Sequence, residues 1–294
     1  MRILMCLLIL TSGCVNKASK MIGHPIDEKY ELPHFSGKAE ICTYELDKSR
    51  YGQNREGEAV LIFVTEPFDK NSQVKPDDYD KNSVVDVLKM NRIDRFTTGI
   101  YDYSQFTSNF TPLSEHSPKF PLKTTMSSQD WCGQSFYQLN NDTGFKLFYR
   151  SYFEGQGDDY NSLDYAVVED NLFNLARIDT SLLPTGNFKI IPALSYITSN
   201  HIELKSYDCE AILKEENGKV CYEYNIIDLE RQVKVVIDAT NNNQIQQWIE
   251  TFPSGNEDKM LSSTYRLKST VNEPYWEMNS NSFSSFRDSL KLGY

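Results

Sequence analysis

The stretch Cys209-Glu210-Ala211-Ile212-Leu213-Lys214-Glu215-Glu216-Asn217-Gly218-Lys219-Val220-Cys221-Tyr222-Glu223-Tyr224-Asn225-Ile226 decides the fold class. Asn217-Gly218 suits a two-residue type I′ turn, in which both residues take positive φ, so the flanking runs read as two antiparallel strands. That register sets Glu216 opposite Lys219, Lys214 opposite Cys221 and Cys209 opposite Ile226. Side chains alternate faces along a strand. Cys209 and Cys221 therefore fall on opposite faces, and no disulfide joins them unless a bulge shifts the register.

Working outward, the same texture continues in both directions. Downstream, strands are expected at Gln232 to Asp238, Gln244 to Thr251, Thr264 to Thr270 and Tyr275 to Met278, with turn signals at Asn241-Asn242 and Pro253-Ser254-Gly255. Upstream, Phe188 to Ile191 and Ile202 to Glu215 precede the hairpin. Near the start of the domain, Gly37 to Asp47, the continuous apolar run Ala59 to Thr65, Val84 to Asn91 and Asp94 to Phe110 read as strands, as do Lys123 to Ser128, Ser135 to Asn140 and Phe145 to Glu154. In the last, Phe145, Leu147, Tyr149 and Ser151 face one way, and Lys146, Phe148, Arg150 and Tyr152 the other. Gly155 to Leu163 reads as a loop. One helix is expected around Val168 to Ile178, where Leu172, Leu175 and Ala176 share a side, and Leu183-Pro184-Thr185-Gly186 stops it. The reading is a mainly β protein: a strongly curved antiparallel sheet or partial barrel with one short helix.

The first residues have a different character. Arg2 precedes about eight apolar residues ending at Leu10, far fewer than the roughly 20 that span a bilayer. A charge, a short apolar run and then small residues form a secretory signal. Thr11-Ser12-Gly13-Cys14 resembles the lipobox of bacterial lipoproteins, with Thr11 standing where that motif usually has Leu. The resemblance implies cleavage before Cys14 and acylation of its thiol, with the membrane as a partner through that lipid. More than one acyl chain gives stable attachment without a transmembrane helix. The expected organisation is a signal peptide at 1–13, a lipid-anchored polar tether at 14–36 and a single β-rich globular domain at 37–294.

Removing 13 of 294 residues leaves 281, enough for one large domain or two small ones. The formal charge is -11. So acidic a chain repels phosphate backbones, which argues against a nucleic-acid partner. Tyr and Phe are abundant and long Ala/Leu/Glu/Lys stretches are missing, which favours strands. Cys42, Cys132, Cys209 and Cys221 are far apart and form no Cys-x-x-Cys pair, so zinc and redox centres are not indicated. The four are expected as buried free thiols.

Motifs for chemistry are sparse. His24, His34, His116 and His201 show no metal-ligand spacing, and Asp77-Asp78 and Asp158-Asp159 do not follow a calcium-loop pattern. No serine-hydrolase or zincin motif occurs. Gly155-Gln156-Gly157 does not continue into a phosphate loop, so no cofactor is indicated. Cys132, in Trp131-Cys132-Gly133-Gln134, has two readings. It is a nucleophile with His201 or His116 as base, or it packs in the sheet beside Trp131, the reading we favour. The nearby carboxylates Glu40 with Glu45, Glu154 with Asp158, and Glu66 carry little signal in so acidic a chain. Aromatic residues on strands carry more. Tyr101, Tyr103, Phe106, Trp131, Tyr149, Tyr152 and Phe153 are candidates to line a concave sheet, with Gln134, Arg150 and Glu154 as polar groups. That is the mixed chemistry of a pocket for a small or lipidic ligand. The competing reading is an ordinary β core.

Several stretches together carry a further likeness: Gly37-Lys38-Ala39-Glu40, Arg50-Tyr51-Gly52, Ala59-Val60-Leu61-Ile62-Phe63-Val64-Thr65-Glu66, Asp130-Trp131-Cys132-Gly133, Ser151-Tyr152-Phe153-Glu154-Gly155 and Leu183-Pro184-Thr185-Gly186-Asn187-Phe188. Nearly the whole mature chain resembles a family of envelope lipoproteins from the Bacteroidetes whose members often carry the label "septum formation inhibitor Maf". The Ser-x-Ser-Pro-Arg-Arg segment with which cytoplasmic Maf nucleotide pyrophosphatases handle phosphates is absent, so that activity is not implied. Surface-exposed lipoproteins of these bacteria carry an acidic run after the acylated cysteine. Val15-Asn16-Lys17-Ala18 departs from it, which favours the periplasmic face of the outer membrane. The expected function is non-enzymatic: an envelope lipoprotein binding a hydrophobic or small ligand, or an envelope protein partner. The alternatives are a hydrolase using Cys132 or acidic residues, and a purely structural interaction protein.

Overall fold

The computed structural model describes residues 37–79, 81–113, 120–255 and 259–293. The expected signal peptide, the expected lipidation site Cys14 and the expected tether, together with His24, His34 and His116, lie outside them.

One sheet of fifteen strands makes up most of the described chain. Its first half is a meander: β1 (Ala39–Arg50), β2 (Gln53–Asp69), β3 (Val84–Thr98), β4 (Tyr101–Pro112), β5 (Lys123–Gln129), β6 (Gln134–Asp142), β7 (Gly144–Ser151) and β8 (Asp159–Leu163). The second half begins with β9 (Val167–Val168), α1 (Leu172–Ile178), β10 (Gly186–Ile191) and α2 (Leu194–Asn200). It continues through β11 (Tyr207–Glu216), β12 (Lys219–Ile226), β13 (Arg231–Asp238), β14 (Gln244–Ser254) and β15 (Lys259–Glu273) to α3 (Phe286–Ser289). β15 pairs antiparallel with β1 and joins the halves. Every pairing is antiparallel except that of β9 with β10. The strand order runs from β8 through β1 and β15 to β9. The sheet curls into a barrel-like shell and stays unclosed between β8 and β9.

The Asn217-Gly218 hairpin has the register read from the sequence, with Glu216↔Lys219, Lys214↔Cys221 and Cys209↔Ile226 paired. Asn217 and Gly218 take φ of 52° and 73°, as a type I′ turn requires. Cys209 is buried inside and Cys221 is half-buried on the other face; both are free, as are Cys42 and Cys132.

Several expectations change. Asp94 to Phe110 is not one strand but parts of two. Thr98 pairs with Tyr101 across a tight turn at Gly99-Ile100, and Gly99 adopts φ of 60°, which suits glycine. Tyr275 to Met278 is a 3-10 turn rather than a strand. The loop Gly155 to Leu163 ends in the edge strand β8. The helix read at 168–178 is α1, and two other short helices join it. Both α1 and α2 have only seven residues, too short to hold without tertiary contacts. Glu169 and Asp170 supply one such contact. Their carboxylates accept the N–H groups of Ala193 (2.9 Å) and Leu194 (3.0 Å), where α2 begins.

α1 fills the shell. Leu172, Leu175, Ala176 and Ile178 join Tyr44, Leu61, Phe63, Met90, Trp248 and Tyr265 in one buried cluster. Trp248 stacks on Tyr265 at 4.0 Å between ring centres, with Tyr44 and Phe173 edge-on to it. Beside these rings lies a buried ionic network. Arg92 meets Asp94 through two hydrogen bonds of 3.1 and 2.8 Å and reaches Glu250 at 3.2 Å. Lys48 lies 3.7 Å from Asp94. Arg231 donates to both oxygens of Glu169 at 2.5 and 2.6 Å. Three cations thus face Asp94, Glu250 and Glu169, while Asp170 is a fourth carboxylate. Burial works against the charge on Glu250, but Arg92, Lys48 and Arg231 overcome it and hold the group at about 2. At Asp170 burial wins and pushes it up to about 7, against the pull of the Leu194 N–H. The void left among these groups is only about 10 Å³, room for about one water.

Candidate functional site

The residues singled out from the sequence do not converge inside the shell, because the strand alternation divides them. Tyr101, Tyr103 and Tyr149 lie on the inward face of β4 and β7. Gln134, Arg150 and Tyr152 lie on the outward face of β6 and β7 and just past its end. Tyr103 is buried, and its ring stacks on Phe96 at 4.9 Å. Its hydroxyl meets that of Tyr51 at 2.8 Å, and burial raises its pKa. Tyr149 stacks on Tyr137 at 5.3 Å and donates to Asp159 at 3.3 Å. Tyr101 packs half-buried against the main core, 6.4 Å from the Trp131 ring. Phe106 points outward from β4, and Glu154 is exposed in the β7–β8 connection. An aromatic-lined internal pocket is therefore not formed; the inward tyrosines belong to the core.

The outward group does converge, on an open depression of about 960 Å³ lined by Trp131, Gln134, Phe136, Arg150, Tyr152 and Asp158 together with polar groups of the β5–β6 turn. The turn is built by Asp130. Its Oδ1 accepts the N–H groups of Cys132 (2.6 Å) and Gly133 (3.2 Å), and its own N–H donates to the Gly133 carbonyl (3.1 Å). This Asx-type closure pushes Trp131 and Cys132 off the sheet. The reading that they pack within it is corrected: Trp131 is 71% exposed and Cys132 is exposed. Gly133 lies under the Tyr152 ring, where a Cβ would come within 2.7 Å of it. Tyr152 is itself 69% exposed, and its N–H donates to the Gln134 carbonyl at 3.2 Å.

Arg150 forms the far wall. Its guanidinium lies 4.2 Å from the Phe148 ring centre and 3.5 Å from Asp158, which also accepts the Ser151 N–H. Ser151 links the wall inward, meeting Ser135 at 3.1 Å and donating to Gln156 at 2.8 Å; Gln156 in turn donates to the Thr198 carbonyl of α2. The depression thus offers two open aromatic faces, a planar amide, a guanidinium and hydroxyls. Both of its carboxylates already hold protein groups.

Phe136, Asp130 and the serines were missed from the sequence. The signal for Phe136 was present: position 136 shares a face with Gln134. His201, a proposed base for Cys132, instead packs edge-on against Phe153 at 5.4 Å. Among the described residues no group of three or more His, Cys, Asp and Glu side chains is placed to hold a metal ion, and no helix is long and apolar enough to cross a membrane.

No protein-family description and no curated protein matches this chain. Among solved structures, it is similar to the crystal structure of a beta-barrel-like protein of a domain of unknown function from Brucella abortus. The TM-score is 0.48 at 9% identity, over 80% of this chain and 98% of that one.

Proposed function

We propose that this chain is a non-enzymatic lipoprotein of the bacterial cell envelope, anchored by lipid on Cys14 at the periplasmic face of the outer membrane, that binds a small ligand in the depression beside Trp131 and Tyr152. The observation that carries the binding reading is a contrast. The void beside Arg92, Glu169 and Trp248 inside the shell is only about 10 Å³, yet Trp131 and Tyr152 are left open to water over about 960 Å³. Binding pockets combine apolar faces with a few placed polar groups in volumes of about 300–1,000 Å³. The ligand that fits has a flat or ring-shaped apolar face for the aromatics, and hydroxyl, amide or carboxylate groups for Gln134 and Arg150. The anchor rests on the signal-like start and on the likeness to Bacteroidetes envelope lipoproteins.

The hydrolase reading has the exposure of Cys132 in its favour. Against it, the lining residues include no histidine, Asp130 is bound to the turn amides, and Asp158 to Arg150 and Ser151. In a Cys/His hydrolase the thiol is activated by a base within hydrogen-bond reach.

Native mass spectrometry of the full chain, processed in a bacterial host and purified without added ligand, tests both halves. A co-purified mass that disappears in Trp131→Ala and Tyr152→Ala supports binding, and a mass increment on Cys14 supports the anchor. An empty wild-type chain that also leaves Trp131 emission unchanged across a panel of envelope extracts overturns the ligand reading.

A further inference from the structure

Cross-strand partners share a face of a sheet, so the register fixes what the outer wall of β4 to β8 shows to solvent. One row across that wall is Phe106, Ser127, Phe136 and Arg150, each paired with the next. The adjoining row is Thr125, Gln138, Phe148 and Tyr160. The depression beside Trp131 and Tyr152 takes in Ser127, Phe136 and Arg150 of the first row. Phe106, 37% exposed, lies beyond it on one side, and Tyr160, 63% exposed, on the other. Phe136 and Phe148 are half-buried, with 6.4 Å between their ring centres. The depression is thus the middle of a longer track, on which aromatic rings alternate with hydroxyls and amides.

We infer that the ligand of the depression is an uncharged glycan in extended form, laid across the strands from Phe106 over Phe136 to Tyr160. This rests on the ligand reading above and names the class of ligand. The spacing of the rings is the first observation that selects it. Phe106, Phe136 and Tyr160 stand on β4, β6 and β8, so rings recur at every second strand, about 10 Å apart across the sheet. The second step also moves one row along the strands. An extended β-linked glycan returns to the same orientation once per disaccharide, close to that interval. Successive disaccharides can therefore each lay a C–H face on a ring, and the span from β4 to β8, about 19 Å, takes roughly two of them.

The polar groups and the charge select it further. Between and beside the rings stand Thr125, Ser127, Gln134 and Gln138, which both donate and accept hydrogen bonds, as sugar hydroxyls do. A purely apolar ligand would strip them of water without replacing those bonds. Arg150 is the one cation in the two rows, and Asp158 lies 3.5 Å from it. In the next row Lys146 is held by Asp142, and Lys123 donates to the Gln73 carbonyl at 3.1 Å. The track therefore offers an anion no uncommitted cation, and the net charge of -11 adds repulsion. An extended peptide would gain its main-chain hydrogen bonds at a strand edge rather than on this face. A glycan needs no enclosure, because its outer side stays hydrated.

The test uses the full chain, processed in a bacterial host and carrying Trp276→Phe. Trp248 is fully buried, so a change in emission on titration reports Trp131. The probes are cellotetraose, chitotetraose and laminaritetraose, each with its disaccharide. The expected result is a saturable change with at least one tetrasaccharide, bound about tenfold tighter than its disaccharide. Phe106→Thr combined with Tyr160→Thr keeps strand-forming residues at two positions outside the depression. The pair should remove the tenfold advantage and leave disaccharide binding unchanged. A tetrasaccharide bound no tighter than its disaccharide, or an advantage that survives the double variant, overturns the track. Emission unmoved by every sugar, in a chain whose co-purified mass is lost in Trp131→Ala, overturns the glycan and leaves the ligand reading standing. Emission unmoved in a chain that is also empty and unresponsive to envelope extracts overturns both.

Discussion

The Tyr152 ring rests directly on the backbone of Gly133, so close that a methyl group at position 133 would stand 2.7 Å from the ring. Gly133 has no need of an unusual backbone conformation there; what it supplies is closeness. Gly133→Ala should therefore swing Tyr152 outward and spoil one wall of the depression without touching a ligand. Because Tyr152 is largely in solvent, the fold should lose under ~1 kcal/mol. Ligand occupancy in native mass spectra should fall about tenfold, and an unchanged occupancy would remove Tyr152 from the binding surface.

Two tryptophans separate packing from display. Trp248 is fully buried between Tyr44, Phe173 and Tyr265, whereas Trp131 stands on a turn. Trp248→Ala should cost about 3–5 kcal/mol. Trp131→Ala should cost under ~1 kcal/mol, as surface substitutions generally do. Chemical denaturation of the two variants checks this. A large loss at Trp131 would restore the reading in which it is part of the core.

The difference between these tryptophans is also where sequence reading ran out. The hairpin 209–226 was fully legible, because Asn217-Gly218 specifies a turn type, a turn type fixes a register, and a register fixes which side each cysteine takes. The alternation of β7 was legible for the same reason, and it already separated Tyr149 from Arg150 and Tyr152. Pooling them into one pocket ignored that parity. Trp131 could not be placed, since what expels it is a side-chain-to-backbone closure by Asp130, a local contact that a strand pattern does not register. α2 was invisible because its start is held from a distance by Glu169 and Asp170. The ionic network was equally hidden. Lys48, Arg92 and Arg231 look like surface cations in the sequence, and only the curl of the sheet turns them inward.

The four thiols of the described domain should differ sharply in reactivity. Burial pushes Cys42 and Cys209 up to about 12, so their thiolates are scarce at neutral pH and shielded from reagent as well. Cys221 is half-buried and also raised by burial, while Cys132 is exposed. Alkylation with iodoacetamide at pH 8, followed by peptide mass mapping, should label Cys132 first and Cys221 more slowly. Cys42 and Cys209 should be labelled only after denaturation. Because Cys209 and Cys221 occupy opposite faces, mild oxidation should yield no 209–221 disulfide; recovery of that crosslinked peptide from the native protein would contradict the observed register.

Asp170 provides a test of the network by pH. Its pKa in the fold is about 7, raised above the unfolded value near 3.9. The folded state therefore holds a proton that the unfolded chain has released. The associated stability is fully present below the unfolded value and is lost as pH rises through about 7. Glu250 works in the opposite direction: held at about 2, it contributes stability above its unfolded value that disappears as pH falls toward 2. Asp170→Asn keeps an acceptor for the Leu194 N–H and removes the ionisation. Relative to wild type, the variant should gain about 2–3 kcal/mol between pH 5 and pH 9, seen as a widening gap in melting temperature as pH rises, while any effect of Glu250 cancels in the comparison. A gap that stays constant over this range would mean that Asp170 remains ionised in the fold, and that the three buried cations balance four carboxylates rather than three.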